Sequence, residues 1–504
     1  MNESPAPATP TATAKYMTLL AAFLGWLFDG FEMGLFPLIG QPALKDLLGP
    51  ASPETDAAKW FGAIIAVFLV GAASGGVLFG WLGDKIGRVR AMSLSIFTYA
   101  IFTGLCGLAT EAWHVAVLRF VASLGMGGEW SLGVALVNEI WPGKNRALIA
   151  GLIGAAANVG YLLVAVLSMI LLSFIATAKG LFLGIGLSEA FTTKLLSNSA
   201  WRFLMISGAL PSLLIFFILI FVPESTKWEA ERKRGATSHW ANVDLFGVLL
   251  GSLAALGIIW AWSPAGVGAL AATGITIVGL GIALFGFLYP MRMYIERAEA
   301  VALIKPGQGA FIVRMMLLGA GLSAVALLGT WGSTQWAPRW VLQLEPDSAK
   351  HAKEWTLFWL SVGAITGTMI AALAAGRFGR RITYAVLCVA SIGSALLLYQ
   401  GNTGYDTFFL FSAFLAGAAT ASFYGFFPLY LPELFPTAVR ATGQGFAFNF
   451  GRIIAAVGGM QTANLMKLFD NSFPKAASVM AAIYVVGMFL VWLGPETKGR
   501  ELPE

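Results

Sequence analysis

The feature that most constrains this chain is a succession of apolar runs, each about as long as a bilayer is thick. A helix rises 1.5 Å per residue, so about 20 mostly apolar residues cross the hydrocarbon core. Runs of that length occur near 16–40, 60–82, 91–110, 113–138, 147–175, 201–222, 244–262, 268–290, 311–337, 355–375, 382–400, 406–431, 438–466 and 476–494. They predict an all-α polytopic membrane protein with about fourteen transmembrane helices. Composition agrees. Only 12% of the 504 residues are charged and 58% are hydrophobic, whereas a soluble chain carries about 25% charged residues. A soluble enzyme, a disordered protein and an extracellular disulfide scaffold are thereby excluded.

Other features narrow the class further. Cys106 and Cys388 lie singly in apolar runs, and His114, His239 and His351 are scattered, so neither a metal site nor a cofactor is expected. The net charge of +6 is explained by basic loops on one face of a membrane; the expected partners are the lipid bilayer and a small solute, with no nucleic acid. If the N-terminus is cytoplasmic, the loops and tails on that face hold nearly twice as many Lys and Arg as those opposite. That bias predicts a multi-pass plasma (inner) membrane protein with both termini in the cytoplasm. Residues 1–15, rich in Pro, Thr and Ala, read as a disordered cytoplasmic N-terminus without the charged start of a signal peptide.

The chain also repeats itself. Gly83-Asp84-Lys85-Ile86-Gly87-Arg88 ends the second run, and Gly376-Arg377-Phe378-Gly379-Arg380 ends a later one. Glu139-Ile140-Trp141-Pro142 with Arg146-Ala147 returns as Glu433-Leu434-Phe435-Pro436 with Arg440-Ala441. Pro223-Glu224-Ser225 returns as Pro495-Glu496-Thr497 at a shorter offset, which fits an outer insertion near 176–200. Like motifs belong on like faces, so the halves are parallel repeats separated by an even number of helices. The predicted organisation is a six-helix bundle over 16–222, linkers and two extra helices over 223–310, a second six-helix bundle over 311–494, and a cytoplasmic tail over 495–504.

These motifs resemble the major facilitator superfamily. The segment Gly80 to Arg90, GWLGDKIGRVR, is similar to its signature loop between helices two and three, and Gly376 to Arg381 is a second copy with Gly376 in place of the acid. PESTKW after the sixth helix and PETKGREL near the C-terminus resemble the sugar-porter branch. Arg119 to Trp130, RFVASLGMGGEW, with two extra central helices, resembles the sialate:proton symporter branch, which also includes monocarboxylate permeases. The resemblance implies two bundles that rock about a central site, in a protein expected to be a monomer. Gly83, Asp84, Gly87 and Arg88, with Gly379 and Arg380, would form the cytoplasmic gate. Gly83 and Gly87 permit a tight turn, and Asp84 can meet helix N-termini or Arg88. The alternative is a solvated basic loop.

Five charges fall deep in apolar runs, where each costs about 2.5–3.5 kcal/mol on insertion scales and so suggests function. Asp29 lies about 13 residues, or roughly 20 Å, into the first helix. Glu32 is three residues on and shares its face. Arg119 and Glu129 lie in the fourth run and Arg452 in the run near 438–466. A carboxyl group in an apolar cavity can carry a proton. Asp29, paired with Arg119, matches an acid–arginine pattern of proton-coupled sugar porters, and Glu129 matches the sialate-branch GGEW. Asp29, Glu129, Arg119 and Glu32 are therefore the candidate proton-coupling residues; a permanent salt bridge is the alternative. Arg452 could hold a carboxylate with two parallel hydrogen bonds, or pair with an acid of the other half. Gln335, Asn449, Tyr161, Trp331 and Tyr424 are further candidate substrate contacts, with Trp26, Trp130, Trp336 and Gln444 behind them. Packing or interface anchoring is the competing role for each ring.

The sequence thus predicts a proton-coupled symporter that takes up a small organic anion, such as a carboxylated sugar or a monocarboxylate. A neutral sugar or polyol porter is the alternative, and sodium coupling stays open. No nucleophile–base set marks an enzyme, no P-loop implies ATP, and no drug-antiporter GPxxGG precedes Tyr161 in GLIGAAANVGY.

Overall fold

The computed structural model describes residues 11–49, 52–141, 143, 145–263, 266–305, 307–344 and 351–504. Among these the regular structure is helical, with no strand. In the first part of the chain lie α1 (Ala12–Leu48), α2 (Glu54–Ile86), α3 (Arg88–Cys106), α4 (Ala112–Ile140), α5 (Arg146–Gly184), α6 (Glu189–Ser207) and α7 (Leu214–Phe221). A short helix α8 (Thr226–Lys233) leads to α9 (Leu245–Trp262) and α10 (Ala269–Ala300). Then follow α11 (Gln308–Gly332), α12 (Ala337–Leu344), α13 (Ala352–Phe378), α14 (Arg380–Gln400), α15 (Thr407–Thr420) and α16 (Phe423–Tyr430). The last are α17 (Arg440–Asn449), α18 (Gly451–Leu468), α19 (Phe473–Ala481) and α20 (Ile483–Leu490).

Among the described residues, thirteen helical segments are long and apolar enough to span a membrane. The fourteenth expected run, 438–466, is divided at Phe450 into α17 and α18. Its first part is only 10 residues long and carries Arg440, Thr442, Gln444 and Asn449, so it stands apart from the thirteen. Order begins earlier than expected at the N-terminus. The Thr11 side chain accepts a hydrogen bond from the Ala14 N–H at 3.2 Å and caps α1, so Ala12 to Ala14 are helical. The rest of the expected disordered segment, 1–10, lies outside the described residues. The insertion near 176–200 is a helical hairpin: α5 runs for 39 residues, about 58 Å, Ser188 caps α6 after a short turn, and the backbone of α6 is broken at Ser197–Ala200 where the insertion ends.

Close helix contacts put the site in place. α2 lies on α4, α1 on α5, and α13 along both α5 and α15. At Gly75 and Gly127 the α2 and α4 backbones come so near that any side chain would strike the other helix. Gly76 receives Asn449 and the Gly445 carbonyl in the same way, which seats α17 against α2. α9 and α10 pack on each other and reach across this seam. Ser252 on α9 donates to Ser74 Oγ on α2 at 2.6 Å, and Phe287 on α10 meets Phe450 edge-on at 6.2 Å.

Candidate functional site

A central cavity lies between the early and late helices. Trp26, Asp29 and Met33 on α1 line it together with Asn158 and Tyr161 on α5. Opposite them stand Thr330 and Trp331 on α11, Gln335, Ser361 on α13, Thr420 on α15, Tyr424 on α16, Phe448 on α17 and Arg452 on α18. Six residues proposed from sequence as lining or substrate-contacting therefore meet here: Trp26, Tyr161, Trp331, Gln335, Tyr424 and Arg452. Asn449 does not line the cavity; its amide nitrogen donates to the Gly127 and Gly445 carbonyls, both at 3.0 Å, at the α2–α17 seam. Gln444 donates to the Ser131 carbonyl, Trp130 stacks on Phe448 at 3.9 Å, and Trp336 faces Phe473. Sequence reading missed Asn158, Thr330, Thr334, Ser361 and Thr420 in the wall. The spacing of Asn158 to Tyr161 and of Thr330 to Thr334 puts each pair on one helix face and was the available signal.

Arg452 is 6% exposed, and neither its Nε nor its Nη1 has a hydrogen-bond partner among the described residues. Its guanidinium carbon stands 5.7 Å from the Phe448 ring centre. Asp29 is also buried, with its carboxyl against that of Glu129. Glu129 fits there because Gly25 has no side chain to occupy the space. Asp29 Oδ1 and Glu129 Oε2 have no partner among the described residues.

The expected Asp29–Arg119 pair is not formed. Arg119 instead holds Glu32, Nη1 to Oε1 at 2.5 Å, with its guanidinium over Phe36 and Phe68 at 4.4 and 4.6 Å. The cause is helix direction. α4 runs antiparallel to α1, and Arg119 precedes Glu129 by ten residues, about 15 Å. Arg119 is thus level with the acid further along α1, and Glu129 is level with Asp29.

At one end of the molecule the repeated motifs interlock. Arg88 Nη1 meets Asp84 at 2.7 Å, and its Nη2 meets Glu139 at 3.1 Å and the Thr437 carbonyl at 2.7 Å. Arg440 Nη1 reaches the same Glu139 oxygen at 2.8 Å. Asp84 accepts from the N–H groups of Ala441 (3.2 Å) and Thr442 (2.8 Å) and from Thr442 Oγ1 (2.6 Å), at the start of α17. In the second copy Glu433 takes Arg380 at 2.6 Å and Arg146 at 3.0 Å. Gly376, which lacks the acid, instead faces Ala147. Gly87 and Gly379 have φ of 111° and 99°, where side chains are strained. There the bare backbone admits Glu224, which accepts from Arg88 N at 3.0 Å, and Glu496, which accepts from Arg380 N at 2.9 Å. Gly83 is not a turn residue. It lies inside α2 and makes room for Leu132.

Helices enough for many crossings, a central polar cavity and an interlocked pair of repeated loops define a membrane transporter. Residues 17–241 and 352–504 match the family model described as "Sugar (and other) transporter", and the chain belongs to this family of the major facilitator superfamily. The unmatched stretch between those ranges contains α9, α10, α11 and α12. A Haemophilus influenzae protein described as a metabolite transport protein is 25% identical, covering 97% of this chain and 98% of its own. The cis,cis-muconate transport protein of Acinetobacter baylyi is 26% identical over 88% of this chain and 85% of its own. The Escherichia coli proton:xylose symporter, solved with 6-bromo-6-deoxy-D-glucose bound, superposes with a TM-score of 0.66 at 19% identity over 98% of each chain. That likeness establishes the fold.

Proposed function

We propose that this transporter takes up a small organic anion together with a proton. The observation that carries the reading is Arg452, a buried cation in the cavity wall with two N–H-bearing nitrogens unpartnered. A buried charge whose donors lack hydrogen-bond partners is costly, and a carboxylate arriving in the cavity offers the fork of oxygens that a guanidinium matches. Tyr161, Trp331 and Tyr424 offer ring faces for the rest of the solute, and Gln335 a polar contact. Asp29 lines the same cavity and, with Glu129 against it, favours one proton on the pair over two adjacent negative charges. The Glu32–Arg119 pair holds α1 to α4 beside it. The cis,cis-muconate relative supports an organic acid as cargo.

The proposed arrangement is two six-helix bundles, 16–222 and 311–494, rocking about the cavity in the inner membrane, with both termini and the interlocked loops cytoplasmic and the protein a monomer. Asp84, Gly87, Arg88, Gly379 and Arg380 then act as the cytoplasmic gate. A neutral sugar or polyol is the competing cargo, favoured by the amide and hydroxyl groups of Asn158, Gln335 and Thr330. A thermal-shift panel on the purified protein separates the two. Stabilisation by cis,cis-muconate, benzoate or a sugar acid, and not by xylose, is expected; stabilisation by xylose alone overturns the anion reading.

A further inference from the structure

A polar cluster runs back from Asp29 in the cavity wall, and two of its members, Tyr99 and Thr103, have no place in the reading above. It has two layers. Asp29 on α1, Glu129 on α4 and Tyr99 on α3 form the layer nearer the interlocked loops. Glu32, Arg119 and Thr103 form the other, and Thr103 Oγ1 donates to Glu32 at 3.4 Å. Tyr99 and Thr103 are one helical turn apart on α3, as Asp29 and Glu32 nearly are on α1, so α3 spans both layers. Tyr99 is 1% exposed. It is seated against the bare backbone of Gly125, one turn before Glu129 on α4. Its hydroxyl has no partner among the described residues, and neither do Asp29 Oδ1, Glu129 Oε2, Glu32 Oε2 and Arg119 Nε. Asp29, Glu129 and Glu32 all lie within electrostatic reach of that hydroxyl.

Buried polar atoms are nearly always hydrogen-bonded in folded proteins. Four unpartnered ones near one equally unpartnered phenol point to bound water, since buried water bridges such groups through two to four bonds. A phenylalanine would fill the same apolar seat. We propose that Tyr99 is a proton-relay residue, its hydroxyl and bound water joining the Asp29–Glu129 pair to the Glu32–Arg119 layer. In the step, Tyr99 O–H gives its proton to the carboxylate of the Asp29–Glu129 pair while its oxygen takes one from water, and that water takes one from Glu32 in its acid form, leaving Glu32 as the carboxylate that Arg119 holds. The phenol ends as it began, one proton has moved, and no electron has been transferred.

The inference rests on Asp29 and Glu129 being the proton site, and the test separates the two ideas. The whole protein in lipid nanodiscs is given a pH jump, and the carboxylic-acid carbonyl band is followed by time-resolved infrared spectroscopy. Asp29→Asn is expected to remove amplitude from that band; unchanged amplitude overturns the proton-site reading and this inference with it. Tyr99→Phe is expected to keep the amplitude and slow its rise by about tenfold or more. A merely structural tyrosine would not produce that split. An unchanged rate in Tyr99→Phe, with amplitude lost in Asp29→Asn, overturns the role of Tyr99 alone. Should Tyr99→Phe not fold, Thr103→Val reads the same path from the Glu32 layer: a slower rise supports it and a wild-type rate overturns it.

Discussion

Buried charges occur in two regions of this transporter, and they are treated in opposite ways. In the interlocked loops, Asp84, Arg88, Glu139, Arg440, Glu433 and Arg380 are linked to acids, bases, backbone carbonyls and N–H groups. Around the cavity, Arg452, Asp29 and Glu129 each keep polar atoms without a protein partner. Charge that is fully hydrogen-bonded holds elements together. Charge left incomplete is available to something that comes and goes. On the proposed function, the same residue types serve as a clasp in one place and as a receptor in the other, and the difference lies in their bonding.

Removing charge should therefore have opposite consequences in the two regions. The largest effect is expected at Glu139→Gln, which weakens the hold on Arg88 and Arg440 together. Breaking a buried pair costs about 3–5 kcal/mol, so thermal unfolding should fall by several degrees and spin labels across the clasp should move apart. A wild-type melting temperature would break the comparison. Next comes Arg452→Met. It should lose about 2–5 kcal/mol of binding to cis,cis-muconate, thirtyfold or more in Kd, while the empty protein melts no lower than wild type. Equal losses of binding and stability would return Arg452 to a structural role. Asp29→Asn should abolish the alkalinisation that accompanies uptake yet retain solute exchange, because repulsion with Glu129 is relieved and the fold is not broken. Unchanged alkalinisation would remove Asp29 from the coupling.

The smallest effect concerns the clasp glutamates outside the membrane spans. Partial burial works against the charge on Glu496, but the N–H groups of Arg380, Lys498 and Arg381 outweigh it and hold its pKa below the usual value. Burial is the larger influence on Glu224, whose pKa is raised although Ser225, Arg88 and Val89 also donate to it. A lowered folded pKa gives stability that is present above the unfolded value and lost as pH falls through the folded one. Glu496 should thus lose its small contribution on acidification below its ordinary range. Glu224 has the opposite sign: its contribution is complete below the ordinary value and is lost as pH rises through its raised one. Melting curves of Glu496→Gln and Glu224→Gln between acid and neutral pH should diverge from wild type at opposite ends. Parallel curves would show that the two copies of the motif do not differ.

The spans were legible because hydropathy is local, and the clasp was legible because its motif recurs. The broken segment at Phe450 was harder to read. Its first part is polar enough to fail as a span, but it is held in place by Asp84 and by the Gly127 carbonyl, both far away in sequence. The pairing of the deep charges was harder still. The sequence set Asp29 and Glu32 on one face, yet which of them Arg119 meets depends on the relative height of two antiparallel helices, settled by close contacts between α1 and α4 such as Gly25 with Glu129 and Gly133 with Ala22. Asn449 has the composition of a substrate contact but was drawn to a seam where Gly76 leaves room. Arg452 could be singled out from sequence because a guanidinium has little reason to sit in a membrane unless something answers it.

Uptake into proteoliposomes under an inward proton gradient tests that last point most directly, with radiolabelled cis,cis-muconate, benzoate, a sugar acid and xylose offered to wild type and Arg452→Met. Accumulation of at least one acid by wild type, its loss in the variant and no accumulation of xylose is the predicted result. Accumulation of xylose alone, undiminished in Arg452→Met, would contradict it.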